Sequence, residues 1–210
     1  MEGLIGYASN TGSSRNLEAL RLAGWRILLT PDKPTPRAGL RFAIDNGAWP
    51  AYQNKTAFPS KLFGALVERN GGQADFVVIP DVVAGGAASM RFSRYWMPRL
   101  KGLRLPLLAI QDGMTAAEVS EFLGEYPQAG LFLGGSTEWK LRTMYSWGAV
   151  AAALGRYYHV GRVNSAKRIR LVHEAGAHSF DGTAATRYSV NVPRLQAARA
   201  QERLFTARIC

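Results

Sequence analysis

Cysteine is almost missing from this chain: the only one is Cys210, the last of 210 residues. That excludes an internal disulfide and any zinc site built on cysteines. Histidine is scarce as well, at positions 159, 173 and 178, without metal-ligand spacing. A metal-free protein with no cofactor is expected. No run approaches the ~18 apolar residues of a membrane span, so no membrane partner is expected. The N-terminus, Met1-Glu2-Gly3-Leu4, lacks a basic segment followed by an apolar one, so no secretion signal is expected and a cytoplasmic location is. Acids are in short supply: 15 Asp and Glu face 26 Lys and Arg, giving a formal charge of +11. Such a field favours a polyanion, and nucleic acid is the usual one. A basic protein without that partner is the plainer reading, but the cations cluster, over 91–104, 156–170 and 187–208.

What is present is a series of short apolar runs. Strands are expected over residues 4–9, 26–30, 41–45, 76–81, 106–112, 130–135, 157–162 and 179–181. Helices are expected over 17–23, from Ser60 to the Gly71-Gly72 stop, over 89–100, after Thr115, and over 138–154, 165–175 and 193–205. Thr115 with Glu118 reads as a capping box. The strand runs lack period-2 alternation, as strands buried on both faces do. Eight strands alternating with helices are the signature of a (β/α)₈ barrel; an open doubly wound sheet is the runner-up. With 210 residues one domain is expected, and no internal repeat or linker is seen in the sequence.

The ends of these runs carry the chemistry: Asp45, Asp81, Gln111 with Asp112, Gly134-Gly135, and Asp181. In a barrel all of them face one mouth, where active sites are built. Carboxylates converging there shift one another's pKa values and suit acid–base or nucleophilic work. Each acid alone also reads as a helix cap.

In this order the motifs resemble the tRNA-guanine transglycosylases, pentosyltransferases on a (β/α)₈ fold that exchange guanine for a 7-deazaguanine. Asp45-Asn46-Gly47-Ala48 stands for that family's Asp-Ser-Gly-Gly element, and Asp81 for its guanine-reading Asp. Gln111 and Gly134-Gly135 follow in place, and Phe180-Asp181 through Thr186-Arg187 matches its Phe-Asp-Cys-x-x-x-Thr-Arg. The likeness covers about residues 40–190.

It implies that Asp181 is the nucleophile on C1′ and Asp45 the general acid or base. Asp81 would read the N1–H and amine of guanine, and Gln111 and the Gly135 N–H its O6, with Asn46, Gly134 and Arg187 also on the substrate. Arg187 reads equally as a phosphate ligand or as a partner of Asp181. Arg162, Asn164, Lys167 and Arg168 follow strand seven, where barrels grip phosphate, although Lys167 reads equally as solvated surface. Trp49, Tyr52, Trp96 and Trp139 read as base-stacking or as packing residues, and His159 as a core or rim histidine.

The departures steer the substrate. The zinc subdomain of the tRNA enzymes is missing, and Gly182 replaces the Cys after the nucleophile. Asp112 stands where the family usually has Gly. The chain thereby resembles the divergent relatives, many from phages, that insert 7-deazaguanines such as preQ0 into DNA. DNA is expected over tRNA, with a free 7-deazaguanine base as second substrate and a bacterial or phage-infected cytoplasm; the sequence leaves the oligomeric state open, a homodimer being the form that related enzymes often take. The rivals are tRNA-directed exchange, a nucleoside or N-glycoside hydrolase, and a non-catalytic DNA-binding barrel.

Overall fold

The apolar runs form eight parallel strands that close on themselves in sequence order: β1 (Ile5–Ser9), β2 (Arg26–Leu29), β3 (Phe42–Ile44), β4 (Val77–Val78), β5 (Pro106–Ile110), β6 (Gly130–Leu133), β7 (Tyr158–Val160) and β8 (Ser179–Gly182). Closure is made by β8 pairing with β1, with Tyr7 opposite Asp181. The fold is therefore the (β/α)₈ barrel, seen in a computed structural model that describes residues 3–11, 13–37, 39–187 and 189–201. Gly12, and the stretch from 202 that includes Cys210 and the end of the expected last helix, lie outside the described residues.

The helices are α1 (Ser14–Leu22), α2 (Ala48–Gln53), α3 (Ser60–Asn70), α4 (Gly86–Trp96), α5 (Ala116–Glu125), α6 (Thr137–Ala153), α7 (Ala166–Glu174), α8 (Ala184–Arg187) and α9 (Val192–Ala200). Their starts follow local chemistry. Thr115 and Glu118 form the expected capping box on α5, and Ser136 and Ser165 cap α6 and α7 through their hydroxyls. Two short helices escaped the sequence reading. α2 has six residues with a proline among them, and α8 has four, so neither is long enough to show a period.

Both faces of the strands are covered, as the non-alternating runs require. The outer layer packs Ile27, Ile44, Leu108, Leu131 and Phe180 against helix residues such as Leu20, Phe63, Phe122 and Ile169. The inner layer fills the barrel with Tyr7, Leu28, Phe76, Val78, Leu107 and Ala109, joined by Phe132 and Tyr157. Burial of each large side chain stabilises by roughly 1.5–3 kcal/mol. The ladders stop short of the expected ends, at Val78, Ile110 and Leu133, so Asp81, Gln111 and Gly134 lie on loops just beyond the sheet. That places them at the mouth. Among the described residues no helix is long and apolar enough to cross a membrane.

Candidate active site

The mouth encloses a cavity of about 230 Å³. Asp45, Asn46, Asp81, Gln111, Gly134, Gly135, Arg162 and Asp181 all line it, with Trp49 and Phe132. Eight residues named from sequence, spread over 137 positions from 45 to 181, thus share one site.

Asp81 is buried and fixed by amides: Asn46 Nδ2 donates to Oδ1 at 2.6 Å and Gln111 Nε2 to Oδ2 at 2.6 Å. Burial pushes its carboxyl up to about 6, against the pull of Asn46, Arg162 and Gln111. Asn46 is itself fixed, donating to the Ile79 carbonyl and accepting from the Ala48 N–H that opens α2. Gln111 Oε1 accepts from the Ala84 and Gly135 N–H groups, each at 3.1 Å. The Gly135 N–H, expected to meet a base carbonyl, is therefore bonded to Gln111, and a base takes it only if that amide shifts. Gly135 has φ +69°, and a Cβ there would lie 2.5 Å from Asp112 Oδ2, so only glycine suits the position.

Asp45 is half-buried in the wall of the cavity. Burial, then Asp181 and Asp81, push its carboxyl up to about 7. Asp181 is buried and held on both oxygens. His159 Nε2 lies 3.0 Å from Oδ1, and the Arg162 backbone N–H donates to Oδ2 at 3.2 Å. Arg162 has φ +58°, a strained backbone for a non-glycine residue. Its guanidinium bonds the Gly135 carbonyl and lies 3.9 Å above the Trp49 ring. It is the cation set among the three carboxylates, whose field opposes the lowering of its pKa by burial.

Gly182 and Asp112, which differ from the resembled pattern, each answer to local contacts. Gly182 is needed because a Cβ would lie 2.2 Å from the Val163 carbonyl oxygen, so a cysteine does not fit. Asp112 bonds the Ser136 N–H and hydroxyl, both at 2.7 Å, and ties the start of α6 to β5. Asn164 Oδ1 accepts from the Thr183 and Ala184 N–H groups and caps α8.

Three expected site residues stay outside the cavity. Lys167 is exposed and Arg168 half-buried, both on α7. Arg187 is exposed at the end of α8, while Asp181 is paired with His159 instead. Of the four aromatic candidates Trp49 lines the cavity, Tyr52 is exposed beside it, Trp96 is core and Trp139 packs against the core. Sequence reasoning missed His159 as a site residue, and missed Lys140, whose buried ammonium donates to the Gly161 carbonyl. Burial, then Arg162, lower that lysine to about 7. A lysine inside a helical run gives no sequence signal for this.

Among the described residues no group of three or more His, Cys, Asp or Glu is arranged to hold a metal ion. No protein-family model matches the chain. No curated protein matches it. Solved structures do match. One, described as "Native KDPGal structure", covers 93% of each chain at a TM-score of 0.55 and 12% identity. At that identity the likeness shows the barrel and nothing of its chemistry.

Proposed function

We propose that this protein is a guanine transglycosylase that exchanges guanine for a 7-deazaguanine in nucleic acid, with DNA as the substrate. The observation that carries the reading is the meeting of Asp45, Asp81 and Asp181 in one cavity, with Asp81 clamped by Asn46 and Gln111. Two carboxylates beside C1′ serve displacement; a third, held rigid by amides, serves recognition of a donor edge.

Asp181 attacks C1′ through Oδ2. The new C1′–O bond forms as the C1′–N9 bond breaks, and its electron pair leaves with guanine. Asp45, with a pKa of about 7, holds a proton to give to the departing base. The incoming 7-deazaguanine gives its N9 proton to Asp45, and its N9 attacks C1′. The C1′–O bond to Asp181 breaks and the carboxylate is restored. Asp81 accepts from the N1–H and exocyclic amine of either base; a charge-assisted pair of this kind rejects adenine. Trp49 supplies a ring face at the mouth, next to Arg162.

A base reaches this depth only out of its stack, so the target is flipped or single-stranded. The charge of +11 supports a nucleic-acid substrate. Among the described residues no group of His, Cys, Asp or Glu is arranged to hold a zinc ion, and a glycine stands where that family has cysteine; both favour DNA over tRNA.

The test is base exchange on duplex DNA and on bulk tRNA, each supplied with preQ0, read by mass spectrometry of digested nucleosides. The expected result is a 7-deazaguanine deoxynucleoside from DNA alone. Product from tRNA alone keeps the chemistry and overturns the substrate. Free guanine released without incorporation identifies a hydrolase. Tight, salt-sensitive binding with no chemistry identifies a binding barrel.

A further inference from the structure

The interior of the barrel is apolar around Leu28, Val78, Leu107 and Ala109, but polar between β7 and β8. His159 and Ser179 are paired across these strands, and both are fully buried. Tyr157 Oη donates to Ser179 Oγ at 2.8 Å. With Tyr157 donating to it, Ser179 still has its own proton to give, and His159 Nδ1 lies 2.7 Å from its Oγ. A carboxylate can only accept, so the ring nitrogen that faces Asp181, Nε2 at 3.0 Å from Oδ1, is the one to carry the proton, and in a neutral ring Nδ1 is left to accept from Ser179. Phe132 stacks on the imidazole with centroids 4.8 Å apart, and Phe76 and Tyr7 close its other sides. Both ring nitrogens have polar partners, and the ring itself is enclosed by aromatic side chains.

We propose that His159 is the positioning residue for the Asp181 nucleophile, held by Ser179 and Tyr157 as a neutral donor to Oδ1 so that Oδ2 is the oxygen presented to C1′. The proposal rests on the transglycosylase reading of the site. A neutral donor is the better choice at this position. Asp181 changes from a charge of −1 to neutral when its ester forms, and back again when the ester is displaced. A buried imidazolium would lose its counter-charge at every turnover, at high cost. A neutral N–H orients the carboxylate, leaves it nucleophilic, and stabilises it again as the leaving group. The surroundings agree: burial and the ammonium of Lys140 hold the imidazole pKa down, against the pull of Asp181.

Two measurements test this. The first is single-turnover formation of the covalent DNA–protein adduct without incoming base, followed on denaturing gels for wild type, His159→Leu and His159→Gln. The glutamine amide keeps a donor where Nε2 stood. His159→Leu is expected to slow adduct formation about 10²-fold, and His159→Gln to recover it to within about tenfold. Binding of free preQ0 should change less than about twofold in both. Equal rates for Leu and Gln, or a wild-type rate for Leu, overturn the proposal. The second is ¹⁵N-histidine NMR of the wild-type protein, with His159 assigned by elimination using His173→Gln and His178→Gln. A neutral Nε2–H tautomer at pH 7 is expected; an imidazolium or the Nδ1–H tautomer overturns it. If wild type forms no adduct with DNA or tRNA, the transglycosylase reading fails, while the tautomer still decides whether His159 holds Asp181 in this way.

Discussion

Acids sit at both ends of this barrel, in opposite circumstances. At the floor Asp75 accepts from Arg41 on Oδ1, and from Arg26 and the Tyr7 hydroxyl on Oδ2. Both oxygens meet a guanidinium, with only a tenth of the side chain exposed. At the mouth Asp45, Asp81 and Asp181 share the guanidinium of Arg162, and their remaining partners are neutral amides and an imidazole. Two of the three are pushed up, to about 7 and about 6. A matched acid holds a structure together. Acids left short of cations cost stability, and a fold keeps them where their reactivity is used.

The sharpest test of that contrast is a pair of substitutions. Asp181→Ala should remove base exchange by at least about 10⁴-fold, with the thermal melt within a few degrees of wild type. Asp75→Ala should do the reverse: exchange within about twofold, and a loss of about 3 kcal/mol in denaturant unfolding, because Arg26 stays buried beside the gap. If Asp75→Ala abolishes exchange in a folded protein, the two ends are not separate in function.

Asp45→Asn comes next. It should lower turnover about 10²- to 10³-fold. It should also stabilise the fold in one pH range only. A raised carboxyl binds its proton more tightly folded than unfolded, so ionising it as pH climbs from about 4 to about 7 weakens the fold. The asparagine protein should therefore melt like wild type near pH 4. It should be more stable by about 1–3 kcal/mol at pH 8, a figure discounted because Asp45 is only half-buried. Equal melting at both pH values would remove the strain assigned to the mouth.

In the proposed mechanism the same two acids set the pH profile of adduct formation: Asp81 is to be ionised to read guanine, and Asp45 protonated to release it. The rate should rise through about 6 and fall above about 7. A profile flat from pH 5 to 8 would contradict both roles. A smaller effect is expected for Asp81→Asn, which should cut discrimination of guanine against adenine by about 10- to 100-fold, measured by competition between the bases. Smallest is Trp49→Ala, which should weaken binding of the target strand about tenfold at fixed salt, read by fluorescence anisotropy.

Much of the mouth was legible because a barrel converts position along the chain into position in space. A residue that ends an apolar run ends at the mouth, so Asp45, Asp81, Gln111, Gly134, Gly135 and Asp181 were each read from their own strand. Arg162 was found by the same rule, yet its contacts were not: it was expected to grip phosphate, and it lies over Trp49 among the acids. Trp49 could not be assigned beforehand, since α2 is too short to show which way it faces. Lys167, Arg168 and Arg187 were named for charge and spacing, which do not say which side of a helix faces a cavity.

The sequence by itself determined the eight strands, their order, the capped helices between them and the set of strand-end side chains. Those follow from local rules: apolar runs, turn residues and hydroxyl caps act over a few positions. Only the tertiary structure decided that Asp75 is matched and Asp45 is not, and that His159 meets Ser179 on one side and Asp181 on the other. These depend on the register of β7 against β8 and on the closure of β8 onto β1. Register across strands is set by packing of the whole barrel, which no short stretch of the chain contains.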